Sequence, residues 1–195
     1  MYELITIKDT IKIPPKLFSE SLEKSAVKAL RERYEGKIKQ DFGVIITAIN
    51  PREITDGKII PGEGGTYHKI TFDLLTFKPK PHEIIKGKVS ELTEFGAFIR
   101  FGPIDGLVHV SQITDDYMSL NSKTQALTGK ESKKIIKKDD EVTARIIAIS
   151  LKNNITESKI NLTMRQEGLG KEEWIKLKNK KKRTKAKKTS NKKKK

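Results

Sequence analysis

Ile5, Ile7, Ile11 and Ile13 occupy odd positions, with Thr6, Lys8, Thr10 and Lys12 between them. A period of two predicts a half-buried strand. Pro14-Pro15 ends it, because proline nitrogens cannot donate to a ladder and their fixed φ suits the opening of a helix. The period then changes. Phe18, Leu22, Ala26, Ala29, Leu30 and Tyr34 recur at helical spacing, with charges on the other face and Gly36 as a C-terminal stop. Val44–Ile49 is a short, nearly continuous apolar run that predicts a central strand. Tyr67–Phe77 predicts another, with Ile70, Phe72 and Leu74 on one face. The order strand, helix, strand, loop, strand defines a small α+β domain over residues 1–81.

Asn50–Thr66 separates the last two strands and contains Asp56-Gly57 and Pro61-Gly-Glu-Gly-Gly65. These glycines predict tight turns. The segment reads either as a long hairpin turn or as a docking tip for a larger partner. It does not read as a phosphate-cradling loop, since no helix and no Lys-Ser/Thr follow the glycines. Lys78-Pro-Lys-Pro81 predicts a stiff linker.

Residues 82–170 contain five strand-like stretches: Ile84–Leu92, Phe95–Phe101, Gly106–Ile113, Val142–Ser150 and Lys159–Gln166. Thr114–Asp140, between the third and fourth, is polar and is expected to hold a short helix and a loop. Five short strands with such an insertion is the order of an all-β OB-fold barrel. Gly170–Leu177 predicts a helical turn carrying Trp174, and the Lys-rich segment 176–195 has too few apolar residues to fold, so it is expected to be disordered.

Charge alters this picture once it is divided. The chain of 195 residues carries +16, but residues 176–195 alone hold thirteen basic residues and no acid. Residues 1–81 hold fourteen basic and eleven acidic residues, and residues 82–175 hold fourteen of each. The tail therefore dominates attraction to polyanions, while the barrel is neutral and must bind through local side chains. There is no cysteine, which removes disulfides and thiolate chemistry and fits a reducing cytoplasm. No apolar run approaches the roughly 20 residues of a membrane helix, and the alternation in Met1–Lys12 does not read as a signal peptide.

Local chemistry concentrates in Gly87–Ile113. Ala97, Ile99 and Phe101 share the parity of a core face, leaving Phe98 and Arg100 outward. Val108 points in and His109 out, and Ile85 and Val89 oppose Lys86 and Lys88. One exposed face is thus expected to gather Lys88, Phe95, Phe98, Arg100 and His109. Rings stack on unpaired bases at about 1–3 kcal/mol per base, and cations follow the phosphates. A lone phenylalanine more often belongs to a core and a lone arginine to solvent. Their combination on one face points to single-stranded RNA.

This stretch resembles the S-one RNA-binding domain, named after the largest protein of the bacterial small ribosomal subunit. The matching pieces are Gly87-Lys-Val89, Phe95-Gly-Ala-Phe-Ile99, Asp105-Gly-Leu-Val-His-Val-Ser111, Asp140-Glu-Val-Thr-Ala-Arg-Ile146 and Lys159-Ile-Asn-Leu-Thr-Met164. The resemblance gives the RNA face to Phe95, Phe98 and His109, with Lys159 as a cationic contact. Ser150 stands where that family often has Asp. With Tyr2…Ile13-Pro-Pro15, Pro61-Gly-Glu-Gly-Gly-Thr-Tyr-His68, Asp115-Asp116-Tyr117 and Leu169-Gly-Lys-Glu-Glu-Trp174, residues 1–175 resemble the larger stalk subunits of archaeal RNA polymerase, the E-prime family. These are counterparts of the seventh subunit of eukaryotic polymerase II. Glu63 stands where that family usually has Asp.

The resemblance implies a ribonucleoprotein-like first domain, a heterodimer with the smaller, F-type stalk subunit, and a turn docked into the polymerase core near the clamp through Gly62, Gly64, Gly65 and Tyr67. It places the barrel beside emerging single-stranded transcript, in support of initiation, elongation and termination, with the catalytic centre in other subunits. No metal or cofactor is expected, because His68, His82 and His109 are scattered and Asp115-Asp116 and Asp139-Asp140-Glu141 read as solvated runs. Two other readings accommodate the barrel. An RNA-binding subunit of a translation factor or exosome would carry an unrelated first domain. A ribonuclease with an accessory barrel would need an acidic metal cluster, and Asp9, Asp41, Asp56 and Asp73 form no such pattern.

Overall fold

A computed structural model of the chain describes residues 1–121, 125–152 and 157–175. The Lys-rich segment 176–195, expected to be disordered, lies outside the described residues. The chain divides into two compact units, one of Met1–Pro79 with Leu151–Ser158 and one of Lys80–Ser150 with the chain from Lys159.

In the first unit, β1 (Tyr2–Ile13), β5 (Thr66–Phe77), β3 (Gly43–Arg52) and β2 (Ile38–Lys39) form an antiparallel sheet in that order, and β4 (Lys58–Ile59) also pairs with β5. The alternation of β1 is realised along its full length: odd residues face the core side and even residues face out. Helix α1 (Leu22–Tyr34) lays Ala26, Ala29, Leu30 and Tyr34 against Ile11, Ile13, Ile45, Ile70, Phe72 and Leu74. Each fully buried large aliphatic or aromatic side chain contributes about 1.5–3 kcal/mol. The neighbours Val44 and Ile45 are both buried, on opposite faces of β3: Ile45 joins the core under α1, while Val44 lies opposite the buried Phe77.

The helix begins four residues later than its apolar period predicts. Pro15–Leu17 forms a 3₁₀ turn, whose last carbonyl accepts the Ser25 hydroxyl at 2.7 Å. Phe18 and Leu22 are left 53% and 47% exposed, outside the core. The paired prolines commit the chain to this turn before the helix can start.

The second unit is a closed barrel. β6 (Ile84–Thr93), β7 (Gly96–Arg100) and β8 (Asp105–His109) form an antiparallel meander. β12 (Glu141–Ser150) pairs with β6 and β13 (Lys159–Thr163), and β13 runs parallel to β8 to complete the ring. Ile85, Val89, Ala97, Ile99, Val108, Val142, Ala144, Ile146, Ile160 and Leu162 fill it. Closure leaves no free barrel edge. The third strand is shorter than its sequence predicts, since Val110–Gln112 turns into a 3₁₀ helix. β14 (Gly170–Lys171) adds to β12, and residues 172–175 are helical, with Trp174 buried.

The short helix expected within Thr114–Asp140 is corrected. The described residues there form a three-stranded antiparallel sheet of β9 (Met118–Asn121), β10 (Ala126–Gly129) and β11 (Ile135–Lys137). Leu127 pairs with both Leu120 and Ile136, so the apolar side chains meet across strands instead of along a helix face. The β-branched pair Ile135-Ile136 favours this pairing.

Candidate nucleic-acid interface

Strand register assembles the face. Lys88 lies opposite Arg100, Phe98 opposite Leu107, Arg100 opposite Asp105, and Gly96 opposite His109. Paired residues share a side, so Phe98, Arg100, Lys88 and His109 look outward together. Phe95 has the parity of the core, yet its ring is 61% exposed. The turn before β7 takes it off the strand, and its carbonyl accepts the Val110 N–H at 2.8 Å. Gly96 makes this possible. Its φ is +155°, and a Cβ there would sit 2.0 Å from the Val108 carbonyl oxygen.

Two of the cations on this face, Arg100 and Lys88, are engaged. Arg100 donates from Nε and one terminal nitrogen to the two carboxylate oxygens of Asp105, at 3.0 and 3.2 Å. That carboxylate raises the guanidinium pKa above its usual value. Lys88 lies 3.8 Å from Glu141. Lys159, opposite Ser150 at the start of β13, precedes Asn161, which is paired with Leu107. Lys159 therefore sits toward the Asp105 end. Ser111 N–H donates to His109 Nδ1 at 3.3 Å, and the Ser111 hydroxyl lies 2.8 Å from the same nitrogen. A neutral His109 thus carries its proton on Nε2, which has no partner among the described residues. A shallow groove of about 490 Å³ beside the face is lined by Lys86, Lys88 and Arg100, with Glu141 and Glu172 among them.

The sequence reading omitted Leu107, Asn161 and Asp105 from this face. The alternation around Val108 contains the signal for Leu107. Asp105 becomes visible only with the hairpin register that sets it opposite Arg100.

At the hairpin of the first unit, residues 60–65 connect β4 to β5, closed by Glu63 N–H to the Ile60 carbonyl at 3.1 Å. Gly62 has φ +86° with open space around it. Gly65 has φ +117°, and a Cβ there would lie 2.6 Å from the Ile13 carbonyl oxygen. Only glycine tolerates both demands at Gly65. The Tyr67 hydroxyl donates to Glu63, which also pairs with Lys12 at 3.2 Å. These contacts, the Tyr67 bond first, hold the Glu63 carboxyl below its ordinary value. His68 is buried with Nδ1 2.8 Å from the Thr55 carbonyl and Nε2 2.9 Å from the Thr66 hydroxyl, a structural role. Asp73, also buried, takes Thr6, Asn50 and Arg52 as partners. Among the described residues, no cluster of three or more His, Asp or Glu stands ready for a metal. No described helix is long and apolar enough to cross a membrane.

A barrel with outward rings, following an α+β unit in the chain, defines a two-domain protein of the S1 class. The family description "S1 RNA binding domain" matches residues 78–159, and "SHS2 domain found in N terminus of Rpb7p/Rpc25p/MJ0397" matches residues 8–64. Over 175 residues the chain is 43% identical to DNA-directed RNA polymerase subunit Rpo7 of Sulfolobus acidocaldarius, covering 90% of this chain and 95% of that one. It is 25% identical over 147 residues to DNA-directed RNA polymerase II subunit rpb7 of Dictyostelium discoideum, covering 75% and 86%. Among solved structures, Mycoplasma genitalium RNase R in complex with ribose methylated single-stranded RNA aligns at a TM-score of 0.38 and 26% identity, over 43% of this chain and 13% of that one. The chain belongs to the Rpo7 family of DNA-directed RNA polymerase subunits.

Proposed function

We propose that this RNA polymerase subunit is itself non-catalytic and serves as an RNA-binding stalk. Residues 1–81 are its docking domain, and the hairpin carrying Gly62, Gly64, Gly65 and Tyr67 seats on the polymerase core near the clamp. The smaller, F-type stalk subunit is its heterodimer partner in the cytoplasm. Residues 82–170 are the RNA-binding domain, which meets emerging single-stranded transcript with Lys88, Phe95, Phe98, Arg100, His109 and Lys159.

The observation that carries this reading is the group of outward side chains on one barrel wall: exposed Phe95, half-buried Phe98 and exposed His109, whose Nε2 has no partner among the described residues. Such rings suit unstacked bases, and duplex bases cannot reach them. Membership in a polymerase-subunit family makes transcript the natural single strand.

Three measurements test it. Pull-down from cell extract is expected to bring polymerase core and a small partner subunit, and their absence would refute the docking role. Phe98→Ala with His109→Ala is expected to weaken binding to a single-stranded oligoribonucleotide by about 2 kcal/mol or more with the fold intact. Unchanged affinity would reject the face. Cleavage of labelled RNA in Mg²⁺ by the purified chain would overturn the non-catalytic assignment.

A further inference from the structure

The barrel wall supplies rings, but Arg100 and Lys88 are paired with acids. The three-stranded sheet has the opposite character. Lys130–Lys138 contains five lysines and one glutamate. Lys130, Lys133, Lys137 and Lys138 are exposed and have no ion pair among the described residues. The nearby carboxylate of Asp116 is occupied locally, accepting from Glu131 N–H at 3.0 Å, Ser132 N–H at 2.8 Å and the Ser132 hydroxyl at 2.8 Å.

The same sheet presents a ring. Lys130 N–H donates to the Tyr117 carbonyl at 3.1 Å, extending the β9–β10 ladder one row beyond Met118 and Gly129. Met118, Leu127 and Ile136 point into the core. Alternation therefore puts Tyr117, Ser119, Thr128, Lys130, Ile135 and Lys137 on the opposite face, which is exposed apart from half-buried Thr128 and the buried Ala126 in the row of Lys137. Tyr117 is 68% exposed, and Lys130 Nζ stands 4.6 Å from its ring centroid.

We infer that this face is a second contact surface for single-stranded RNA, with Tyr117 stacking on a base and Lys130 and Lys137, with Lys133 of the adjoining turn, on the phosphates. An exposed ring among unpaired lysines is the arrangement that tracks a single strand. Charge complementarity selects the occupant, because four exposed lysines of this segment stand against one exposed acid, Glu131. The inference rests on the reading of the chain as an RNA binder and adds a site outside the barrel wall.

The test uses the full chain and a single-stranded oligoribonucleotide carrying 5-iodouridine. Irradiation is expected to crosslink Tyr117, located by mass spectrometry of the digest. Tyr117→Ala is expected to weaken binding about tenfold at roughly 0.3 M salt, where diffuse attraction is screened, while Tyr117→Phe retains it. Lys130→Gln with Lys133→Gln and Lys137→Gln is expected to reduce the log–log salt slope by about 2, at roughly 0.7 per phosphate contact. Wild-type affinity and slope in these variants, with no crosslink at Tyr117, overturns the second surface. An acidic peptide binding with the same Tyr117 dependence overturns its assignment to nucleic acid. Loss of binding in Phe98→Ala/His109→Ala alone would uphold the barrel wall and reject this face, and loss in the Tyr117 variant alone would do the reverse.

Discussion

The two outward faces of the second unit proposed to meet single-stranded RNA present opposite chemistry. The barrel wall carries Phe95, Phe98 and His109, but Asp105 ties down Arg100 and Glu141 attends Lys88. The β9–β10–β11 sheet carries one ring, Tyr117, beside Lys130, Lys133 and Lys137, which have no acidic partner among the described residues. Counted by sequence, both regions lie in a stretch with equal numbers of acids and bases. The difference lies in which charges are already satisfied. Attraction for a phosphate follows unpaired cations, while base stacking follows exposed rings. A neutral domain can therefore divide these tasks between two surfaces.

The largest effect expected from breaking this comparison comes from Gly96. A valine there brings a Cβ to 2.0 Å from the Val108 carbonyl, against backbone that cannot yield cheaply. Overpacking plus an unfavourable φ is expected to destabilise the second unit by about 3 kcal/mol or more, read as an earlier denaturant midpoint. Unchanged stability of Gly96→Val would mean that β7 and β8 do not approach as described. Since the turn holding Phe95 depends on this approach, RNA binding should fall with stability.

A smaller change makes the barrel wall resemble the sheet. Asp105→Asn removes the charge that engages Arg100 through two hydrogen bonds. The freed guanidinium is expected to raise RNA affinity a few fold at low salt and to steepen the log–log salt slope by about 0.7, one phosphate contact on a single strand. Loss of affinity would mean that Asp105 positions Arg100 for RNA instead of neutralising it. The surface ion pair itself contributes little to stability, so the fold should tolerate the change.

Much of this was legible from residue order alone. The alternation of Ile5 to Ile13 and of Ile70, Phe72 and Leu74 states which side is buried, and the structure places those side chains accordingly. Ala97, Ile99 and Phe101 likewise declare the core side of β7 and leave Phe98 outward. Phe18 misled because helical spacing continued upstream through a proline turn. The β9–β11 sheet was missed because strands of three or four residues contain too few periods to distinguish from a helix. Its order comes from Leu127 meeting Leu120 and Ile136 across strands. The cations of the barrel wall were read as available because residue spacing does not reveal their partners. Arg100 and Asp105 are five apart, and only the register of the hairpin brings them face to face.

The smallest expected effect tests what holds the lysine-bearing turn beneath Tyr117. Asp116 collects two backbone N–H groups and the Ser132 hydroxyl on one oxygen. These bonds, the Ser132 amide first, keep its carboxyl below the ordinary value of 3.8. A depressed carboxylate supplies its stabilisation above the unfolded value and loses it as pH falls through the lower folded value. The turn should therefore be indifferent to pH between about 7 and roughly 5, and should loosen only below about 3.8. Hydrogen exchange, corrected for intrinsic rates, is expected to report this as falling protection of the Glu131 and Ser132 amides in acid. In Asp116→Asn the same two amides should be less protected at neutral pH, with no further acid step. Equal protection in both proteins would show that strand pairing alone holds the turn. The sheet would then present Lys130 and Lys133 without help from the acid beside them.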